Sequence, residues 1–338
     1  MGLESITIAL DWTLNTNHTG FVVAKALGYY EKEGLQVHLI EPGVPYVPPA
    51  ERVRDGSATF AVAPSETAIS SRSQKDKPML QAVAALLSED TSAIVTLKSS
   101  GLDTPKELEG KCYASYGARY EGRIVQRLIE NSGGVGSFKE VAMPAREIWD
   151  AVLKGEADAT WIFLGHEGVQ AEMEGVRLNV FKLSDYDIPY GFTPILVGNP
   201  ETMRQRVSSM EAFFEATGRG YEYAAAHPQE AAALLVEESR GVLDKDFAVK
   251  SQEFASKHYC SASGRWGYME PQRWQTFLEW LHDSELLTTA APSRNPVEGT
   301  SVSLADLLSG NAGTLMELGD PRLEGLFTNE YLPDQSQA

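Results

Sequence analysis

The stretch Asp11–Gly20, which reads DWTLNTNHTG, is the part of the sequence that says most about ligand recognition. Trp12 offers a flat face on which a planar heterocycle could stack. Asp11 and Asn15 supply hydrogen-bond donors and acceptors of fixed direction. The same spacing also fits an Asx-rich turn that caps the next helix, with His18 as a packed, hydrogen-bonded residue. Spacing alone leaves both interpretations open.

A second candidate stretch, Ser115–Arg123, reads SYGARYEGR and begins a predicted helix. Amide groups at a helix N-terminus can hold a phosphate, and Arg119 or Arg123 could assist them. Neither a Walker nor a Rossmann signature is present. The stretch therefore predicts a ligand-holding loop without fixing the ligand. Its candidate contact residues are Tyr116, Gly117, Tyr120 and Glu121.

Three glutamates stand at predicted strand–loop–helix junctions, namely Glu66, Glu121 and Glu167. A carboxylate accepts a hydrogen bond from an exocyclic amine, so each could read the polar edge of a nitrogenous ring. Each could equally be a solvated or helix-capping glutamate. Ser65 is the predicted N-cap of a helix over 66–72. His166 beside Glu167 is a candidate acid–base pair, although adjacent loop residues usually point apart.

Other patterns of catalysis or metal binding are missing from the sequence. It contains no GxSxG elbow, no HExxH and no clustered His/Cys spacing, so catalytic residues stay unassigned and no metal site is predicted. Cys112 and Cys260 lie too far apart for a CxxC motif. We interpret them as two free or buried thiols.

The charge balance excludes several classes of partner. The 338 residues include 29 Lys+Arg against 47 Asp+Glu, a formal charge of −18. This excess argues against nucleic acid and disfavours an anionic membrane surface, although a local cluster of amides could still bind a small anion. No apolar run approaches the ~20 residues of a spanning helix. No secretory leader is visible, so we expect a cytoplasmic protein unless a leader was trimmed.

The elements that must position these residues alternate between strand and helix patterns. This alternation predicts an α/β fold with a largely parallel sheet, and the length predicts about two domains. We expect lobe I to comprise 1–98 and 194–338, lobe II to comprise 99–193, and a ligand cleft to lie between them. The predicted strands cover 6–10, 35–39, 60–62, 93–97, 112–115, 141–143, 158–163, 178–183 and 195–197. The candidate residues follow the carboxyl ends of such strands, where open α/β sheets bind ligands.

The opening of the chain resembles one family. The run LDWT, then NTNHTG, Gly28-Tyr29-Tyr30 and Gly34-Leu35 is similar to the thiamine-pyrimidine proteins. These are bacterial formylaminopyrimidine-binding proteins and fungal hydroxymethylpyrimidine phosphate synthases, which share the type 2 periplasmic-binding-protein fold. The likeness continues to Asn199-Pro200, and Leu14 stands where the family commonly has proline.

The resemblance implies that Trp12 forms part of a pocket for a pyrimidine ring. A tyrosine, Tyr116 or Tyr190, would stack on the ring, and Glu66 or Glu167 would read its polar edge. The implied function is binding of an aminopyrimidine of the hydroxymethylpyrimidine or formylaminopyrimidine type. The alternatives are hydroxymethylpyrimidine phosphate synthesis and a carrier or sensor for a sulfonate- or amine-type ligand. The complete predicted ligand-binding set is Asp11, Trp12, Asn15, His18, Ser65, Glu66, Tyr116, Gly117, Tyr120, Glu121, His166, Glu167 and Tyr190.

The sequence departs from the fungal synthases at the residues that carry their chemistry. In those enzymes a lysine holds pyridoxal phosphate, a histidine gives up ring atoms and a CCCFC run is linked to iron. Here 62–68 reads VAPSETA and 188–192 reads IPYGF, without lysine, histidine or cysteine. The nearby Lys75 and Lys77 lie in a predicted solvated loop. We therefore predict no cofactor for the binding function, with pyridoxal phosphate and iron expected only under the synthase alternative. The sequence leaves open whether the protein forms a homodimer.

Overall fold

The computed structural model describes residues 2–43, 46–73, 78–289 and 314–333. The chain divides into two compact units. Unit 1 comprises Met1–Asp90, Gly191–Trp274 and Pro321–Ala338, and unit 2 comprises Thr91–Tyr190 and Gln275–Asp320. Lys75 and Lys77 lie outside the described residues.

The described residues form strands and helices in alternation over the first part of the chain and mostly helices after it. The strands are β1 (Glu4–Ala9), β2 (Leu35–Ile40), β3 (Phe60–Ala63), β4 (Gln81–Ala85), β5 (Ser92–Leu97), β6 (Cys112–Ser115), β7 (Lys139–Ala142), β8 (Ala159–Phe163), β9 (Leu178–Phe181) and β10 (Ile195–Gly198). The helices are α1 (Thr19–Ala26), α2 (Tyr29–Lys32), α3 (Pro49–Arg54), α4 (Ser65–Ser71), α5 (Glu121–Asn131), α6 (Ile148–Leu153), α7 (Val169–Met173), α8 (Pro200–Arg204), α9 (Val207–Ala226), α10 (Pro228–Glu238), α11 (Lys245–Ala255) and α12 (Pro271–Asp283).

Unit 1 is built on a five-stranded sheet with the order β2-β1-β3-β10-β4. β1 pairs in parallel with β2 and β3, whereas β10 runs antiparallel to β3 and β4. Ile6 and Ile8 are completely buried, as the alternation in β1 predicts. They belong to a core that includes Phe21 from α1 and the adjacent Phe213 and Phe214 from α9. This core fixes the strand ends from which the polar loops emerge.

Unit 2 is built on a second five-stranded sheet with the order β7-β6-β8-β5-β9. β6 pairs in parallel with β7 and β8, and β5 runs antiparallel to β8 and β9. α5 buries Ile124, Val125 and Leu128, whose spacing places them on one helical face. The sheet and this helix together position the segments that follow β6 and β8.

Two expectations about the sheets differ from the structure. A largely parallel sheet was expected, but each sheet is mixed, because β10 and β5 run against their neighbours. The stretch 91–98 lies in unit 2 rather than with the first lobe, since β5 pairs with β8 and β9, and 275–320 also belongs to unit 2. A strand's own sequence does not reveal which distant strand it pairs with. Local patterns therefore could not predict the mixed strand directions or the place of β5 in unit 2.

Two predicted helix starts have different outcomes. The Asn199 side chain accepts hydrogen bonds from the amides of Glu201 (2.9 Å) and Thr202 (3.4 Å), so this predicted cap is confirmed. The predicted N-cap Ser65 is instead the first residue of α4, and Pro64 occupies the cap position without a side-chain hydrogen bond. Proline is favourable near a helix start because it has no amide hydrogen to satisfy. Within the described parts of the chain, no helix has the length and apolar character needed to cross a membrane.

Candidate functional site

In unit 1, the candidate residues lie at one edge of the sheet. β1 and β3 pair in parallel at Ile8 with Phe60 and at Ala9 with Ala61. Their carboxyl ends therefore lie side by side, and the segment after each strand leaves the sheet at the same edge. This edge carries Asp11, Trp12, Asn15 and His18 after β1, and Ser65 and Glu66 after β3.

The first of these segments contains a hydrogen-bonded chain of three residues. The Asn15 amide donates to Nδ1 of His18 (3.3 Å), and Nε2 of His18 lies 3.0 Å from Oδ1 of Asp11. Because Nδ1 accepts a hydrogen bond, the network assigns the imidazole proton to Nε2, which donates to Asp11. His18 has no exposed surface, whereas the Asp11 side chain is 30% exposed. His18 therefore holds Asp11, and Asp11 is the member of the pair that solvent can reach.

Two buried tyrosines hold the loop that contains these three hydrogen-bonded residues. The Tyr221 hydroxyl donates to the carbonyl oxygen of Asn17 (2.7 Å), and the Tyr259 hydroxyl donates to that of Thr16 (2.5 Å). Desolvation raises the pKa of both hydroxyls, so they stay protonated and able to donate well above neutral pH. The loop is therefore held in place before any ligand arrives.

Leu14 makes a contact that a proline could not make. Its amide donates to Oε1 of Glu41 over 2.7 Å, directly after β2. Proline has no amide hydrogen, so the departure from the family's usual residue comes with an additional anchor for this loop.

Trp12 is half-buried, and no aromatic ring among the described residues packs against its indole. Tyr46 is a second aromatic residue of this edge, which the sequence analysis missed. Its side chain is 60% exposed, and desolvation together with the negative charge of Asp11 raises the pKa of its hydroxyl. This shift indicates that Asp11 lies within electrostatic reach. The sequence feature that could have identified Tyr46 is the presence of an aromatic residue in the Pro/Gly-rich loop after β2.

Ser65 and Glu66 are both buried at the start of α4. The Ser65 hydroxyl is shielded from solvent and makes no hydrogen bond with any residue that the structure describes. Buried hydroxyl groups are normally paired, so this one has an unused capacity to donate or accept.

In unit 2, a second group of candidates lies at one edge of the second sheet. β6 and β8 pair in parallel at Tyr113 with Ala159 and at Ala114 with Thr160. The turn after β6 and the segment after β8 therefore begin at the same edge. The second segment, Leu164–Gly168, is a π-helical turn, a feature that is frequent at functional sites. This edge carries Tyr116, Gly117, Tyr120 and Glu121 after β6, and His166 and Glu167 after β8.

Glu121 is a structural anchor of the turn after β6. Its buried carboxylate accepts hydrogen bonds from the Tyr113 hydroxyl (2.8 Å) and from the amides of Tyr116 (3.1 Å) and Ala118 (2.9 Å). Gly117 adopts a positive φ of 81° at the centre of the turn. This carboxylate, one of the three candidates for contacting the polar edge of a ligand, is thus engaged by the protein itself.

The arginines beside this turn are also engaged by protein groups. Arg119 donates to the carbonyl oxygen of Thr288 (2.8 Å) and lies over the ring of Tyr120, 5.0 Å from its centroid. Arg123 donates to the side-chain oxygen of Gln126 over 2.7 Å. These contacts do not favour the phosphate-holding role that the sequence suggested for the two arginines.

The remaining candidates of unit 2 differ in how accessible they are. Oε2 of Glu167 accepts a hydrogen bond from the Phe163 amide (3.0 Å). Desolvation and the negative charges of Glu167 and Glu121 raise the pKa of the Tyr116 hydroxyl well above its ordinary value. Tyr116 is 41% exposed and can present its ring.

Tyr190 is almost completely buried in an aromatic cluster. Its ring centroid lies 5.2 Å from that of Trp161, at a tilted angle of 59°, and 5.4 Å from that of Phe277, in a T-shaped arrangement. Of the two tyrosines proposed for stacking, Tyr116 is therefore the more open. Trp161 is a further aromatic residue of this region that the sequence analysis did not select. The sequence feature that could have identified it is its position in β8, two residues before the carboxyl end of that strand.

The residues present do not fit the cofactors of the synthase alternative. The segment Val62–Ala68 forms the end of β3 and the start of α4, and it offers no amine for a Schiff base. The segment Ile188–Phe192 offers no thiol. Among the residues that the structure describes, no group of three or more His, Cys, Asp or Glu side chains could hold a metal ion.

The fold is that of the type 2 periplasmic binding proteins, as the resemblance implied. A solved structure that the chain matches is the periplasmic aliphatic sulphonate binding protein SsuA from Escherichia coli, with a TM-score of 0.62. The match covers 84% of this chain and 94% of that chain at 15% sequence identity. Similarity at this level of identity shows the fold and not the ligand.

Within this fold class, the chain belongs to the NMT1/THI5-like family, whose sequence model matches residues 15–231. The formylaminopyrimidine-binding protein of Halalkalibacterium halodurans is 26% identical over 83% of this chain and 86% of that protein. The 4-amino-5-hydroxymethyl-2-methylpyrimidine phosphate synthase of Legionella pneumophila is 28% identical over 68% of this chain and 72% of that protein. The resemblance read from the opening motif is confirmed.

Proposed function

We propose that this protein binds an aminopyrimidine of the thiamine pathway, of the hydroxymethylpyrimidine or formylaminopyrimidine type. The proposal is supported by family membership and by the name of the relative from Halalkalibacterium halodurans. The observation that carries it is the fixed loop after β1, which presents an indole and a carboxylate at the edge of the first sheet. A location in the cytoplasm and a homodimeric assembly stay predictions.

The chemistry of this edge suits such a ligand. An aminopyrimidine has a flat aromatic face, and packing on the indole of Trp12 contributes about 0.5–1.5 kcal/mol beyond the area it buries. Its amino group offers hydrogen-bond donors, which match the acceptor-only carboxylates of Asp11 and Glu66. The unpaired hydroxyl of Ser65 can donate to a ring nitrogen.

Calorimetry with 4-amino-5-hydroxymethyl-2-methylpyrimidine and its formylaminopyrimidine counterpart tests the proposal. We expect saturable binding to the wild-type chain and at least about tenfold weaker binding to Trp12→Ala. Tyr29→Ala is the matched control, because Tyr29 is also half-buried but lies on α2, before the amino end of β2. No binding of either pyrimidine, together with binding of an alkanesulfonate, would replace the proposal with the sulfonate-carrier alternative.

Synthesis of hydroxymethylpyrimidine phosphate is the second candidate, favoured by the name of the Legionella pneumophila relative. It would need a route that does not use the family's lysine, histidine and cysteine-run residues, which are missing here. The test is an absorption spectrum of the chain with pyridoxal phosphate, recorded before and after borohydride. A reducible lysine adduct would favour the synthase, and its absence together with pyrimidine binding would favour the binding protein.

A further inference from the structure

We infer that Gln252 is a positioning residue for ligand binding, and that it acts on the loop after β1 without touching the ligand. It lies on α11, which follows the residues 15–231 that the family's sequence model matches. Its side chain is completely buried. The inference rests on the proposed function and adds to it a remote residue on which the affinity of the site depends.

Gln252 completes a ring of hydrogen bonds with the loop. The Thr19 hydroxyl donates to Oε1 of Gln252 (2.7 Å), and Nε2 of Gln252 donates to the Tyr259 hydroxyl (3.0 Å). The Tyr259 hydroxyl in turn donates to the carbonyl oxygen of Thr16 (2.5 Å), which also accepts from the amide of Thr19. The ring therefore begins and ends on one short segment of the loop, the turn Thr16–His18 and the residue after it.

The hydrogens of this network have one consistent arrangement. The Gln252 amide can face either way, and its partners decide which. The Ser256 hydroxyl donates to a carbonyl oxygen of α9 (2.8 Å), and the Tyr259 hydroxyl donates to that of Thr16. Both hydroxyls therefore present only lone pairs to Gln252, and its amide nitrogen supplies the two hydrogens that they need. The amide oxygen is left for the Thr19 hydroxyl, so the network holds the loop in one direction only.

The segment held in this way contains the histidine that contacts Asp11. His18 lies between Thr16 and Thr19, and its Nε2 lies 3.0 Å from Oδ1 of Asp11. A rotation of the turn would therefore also move this partly exposed carboxylate. A site that is binding-competent one-tenth of the time binds about tenfold more weakly than one that is always competent. Gln252 thus raises the affinity by keeping the loop in its competent conformation.

Loss of this positioning has a kinetic signature that differs from loss of a ligand contact. When only a fraction of the chains is competent and the conformations interchange rapidly, the association rate falls by that fraction and the dissociation rate stays unchanged. Removal of a ligand contact acts mostly on the dissociation rate. Slower association is therefore expected of Gln252 variants, and faster dissociation is expected of Trp12→Ala.

The experiment measures binding of 4-amino-5-hydroxymethyl-2-methylpyrimidine by calorimetry and by stopped-flow fluorescence. We expect Gln252→Leu and Thr19→Val each to weaken binding by about tenfold, through slower association. The double variant should lose no more than about a further twofold, because Gln252→Leu already removes the acceptor of the Thr19 hydroxyl. Thr217→Val is the matched control. It removes an equally buried hydroxyl, 2.9 Å from that of Tyr30, and should lower the melting temperature while keeping the wild-type affinity.

Hydrogen exchange of the ligand-free wild-type chain tests the same point without a substitution. The amides of His18 and Thr19 donate to the carbonyl oxygens of Asn15 (2.9 Å) and Thr16. In a turn that is held before the ligand arrives, these two amides should exchange slowly. In Gln252→Leu and Thr19→Val they should exchange at least about tenfold faster.

Thermal melts establish that each variant is folded. Wild-type affinity in a folded Gln252→Leu or Thr19→Val chain overturns this inference alone, as does weaker binding that comes from faster dissociation. Rapid exchange of the two amides in the ligand-free wild-type chain also overturns it, even where a variant does not fold. No pyrimidine binding by the wild-type chain overturns the proposed function and this inference with it.

Discussion

The Tyr113 hydroxyl donates a 2.8 Å hydrogen bond to Glu121, and both side chains are buried inside unit 2. Desolvation raises the pKa of Tyr113 well above its ordinary value, and the negative charge of Glu121 raises it further. Tyr113 therefore remains a donor across the physiological range. Because the same carboxylate accepts from the amides of Tyr116 and Ala118, this pair fixes the turn that presents Tyr116.

The first prediction concerns the removal of the Glu121 charge. Glu121→Gln keeps the shape of the side chain but replaces one of its two acceptor oxygens with an amide NH2 group, which only donates. At least one of the three donors therefore loses its acceptor. We expect the free energy of unfolding to fall by about 1–3 kcal/mol. Thermal melts measure the effect. The exposed change Glu156→Gln, in the same unit, should stay within about 0.5 kcal/mol. Equal effects for the two variants would contradict the anchoring role.

Local sequence signals predicted much of this fold because they depend on neighbours along the chain. Strand alternation located β1, and the Asn199 cap marked α8. The partners of β5 depend on strands far away in sequence, so its place in unit 2 was not predictable from its own residues. The same limit applies to the site. Sequence selected Asp11 and His18 as candidates, but only the fold shows that His18 contacts Asp11.

The second prediction concerns the coupling between Leu14 and Glu41. Glu41→Ala removes the acceptor of the Leu14 amide and should lower the free energy of unfolding by about 1–2 kcal/mol. In a Leu14→Pro background the amide hydrogen is already gone, so the same change should have an effect below about 0.5 kcal/mol. Melts of the two single variants and the double variant measure the coupling. Additive effects would show that the hydrogen bond does not stabilise the loop.

The third prediction concerns the reactivity of Cys260. Burial raises the pKa of this thiol to about 12, and the negative charge of Glu222 adds to the shift. Very little thiolate, the nucleophilic form, is therefore present at pH 8. We expect the variant Cys112→Ser, which keeps only Cys260, to react with iodoacetamide far more slowly than an unfolded control in urea. Equal rates in the folded and unfolded chains would contradict the shift.

The same shift predicts a loss of stability at high pH. The folded chain binds the thiol proton more tightly than the unfolded chain, whose ordinary pKa is 9.0. Its contribution is therefore complete below pH 9 and is lost as the pH rises toward 12. The variant Cys260→Ala should show a weaker decline in melting temperature over this range than the wild-type chain. An identical decline would assign the pH dependence to other groups.

The last prediction uses two serines of the same helix. Ser65 and Ser71 begin and end α4, and both are buried. The Ser71 hydroxyl lies within hydrogen-bond distance of the carbonyl oxygens of Ala68 (2.7 Å) and Leu80 (3.1 Å), between which its one hydrogen can be shared, whereas that of Ser65 makes no hydrogen bond with any described residue. Ser71→Ala should therefore destabilise the chain by about 1 kcal/mol or more, and Ser65→Ala should leave its stability unchanged or slightly raised.

The two substitutions should have the opposite effect on ligand binding: the one that leaves stability unchanged should weaken binding, and the destabilising one should not. If the unpaired hydroxyl of Ser65 is kept for a ligand, Ser65→Ala should weaken aminopyrimidine binding by about fivefold to tenfold, and Ser71→Ala should leave the affinity of the folded chain unchanged. Melting temperature and calorimetric Kd, measured on both variants, give two independent readouts. A stabilised Ser65→Ala chain with weaker binding is the pattern expected where a site retains an unsatisfied group for function. A Ser65→Ala chain with wild-type affinity would remove this hydroxyl from the site.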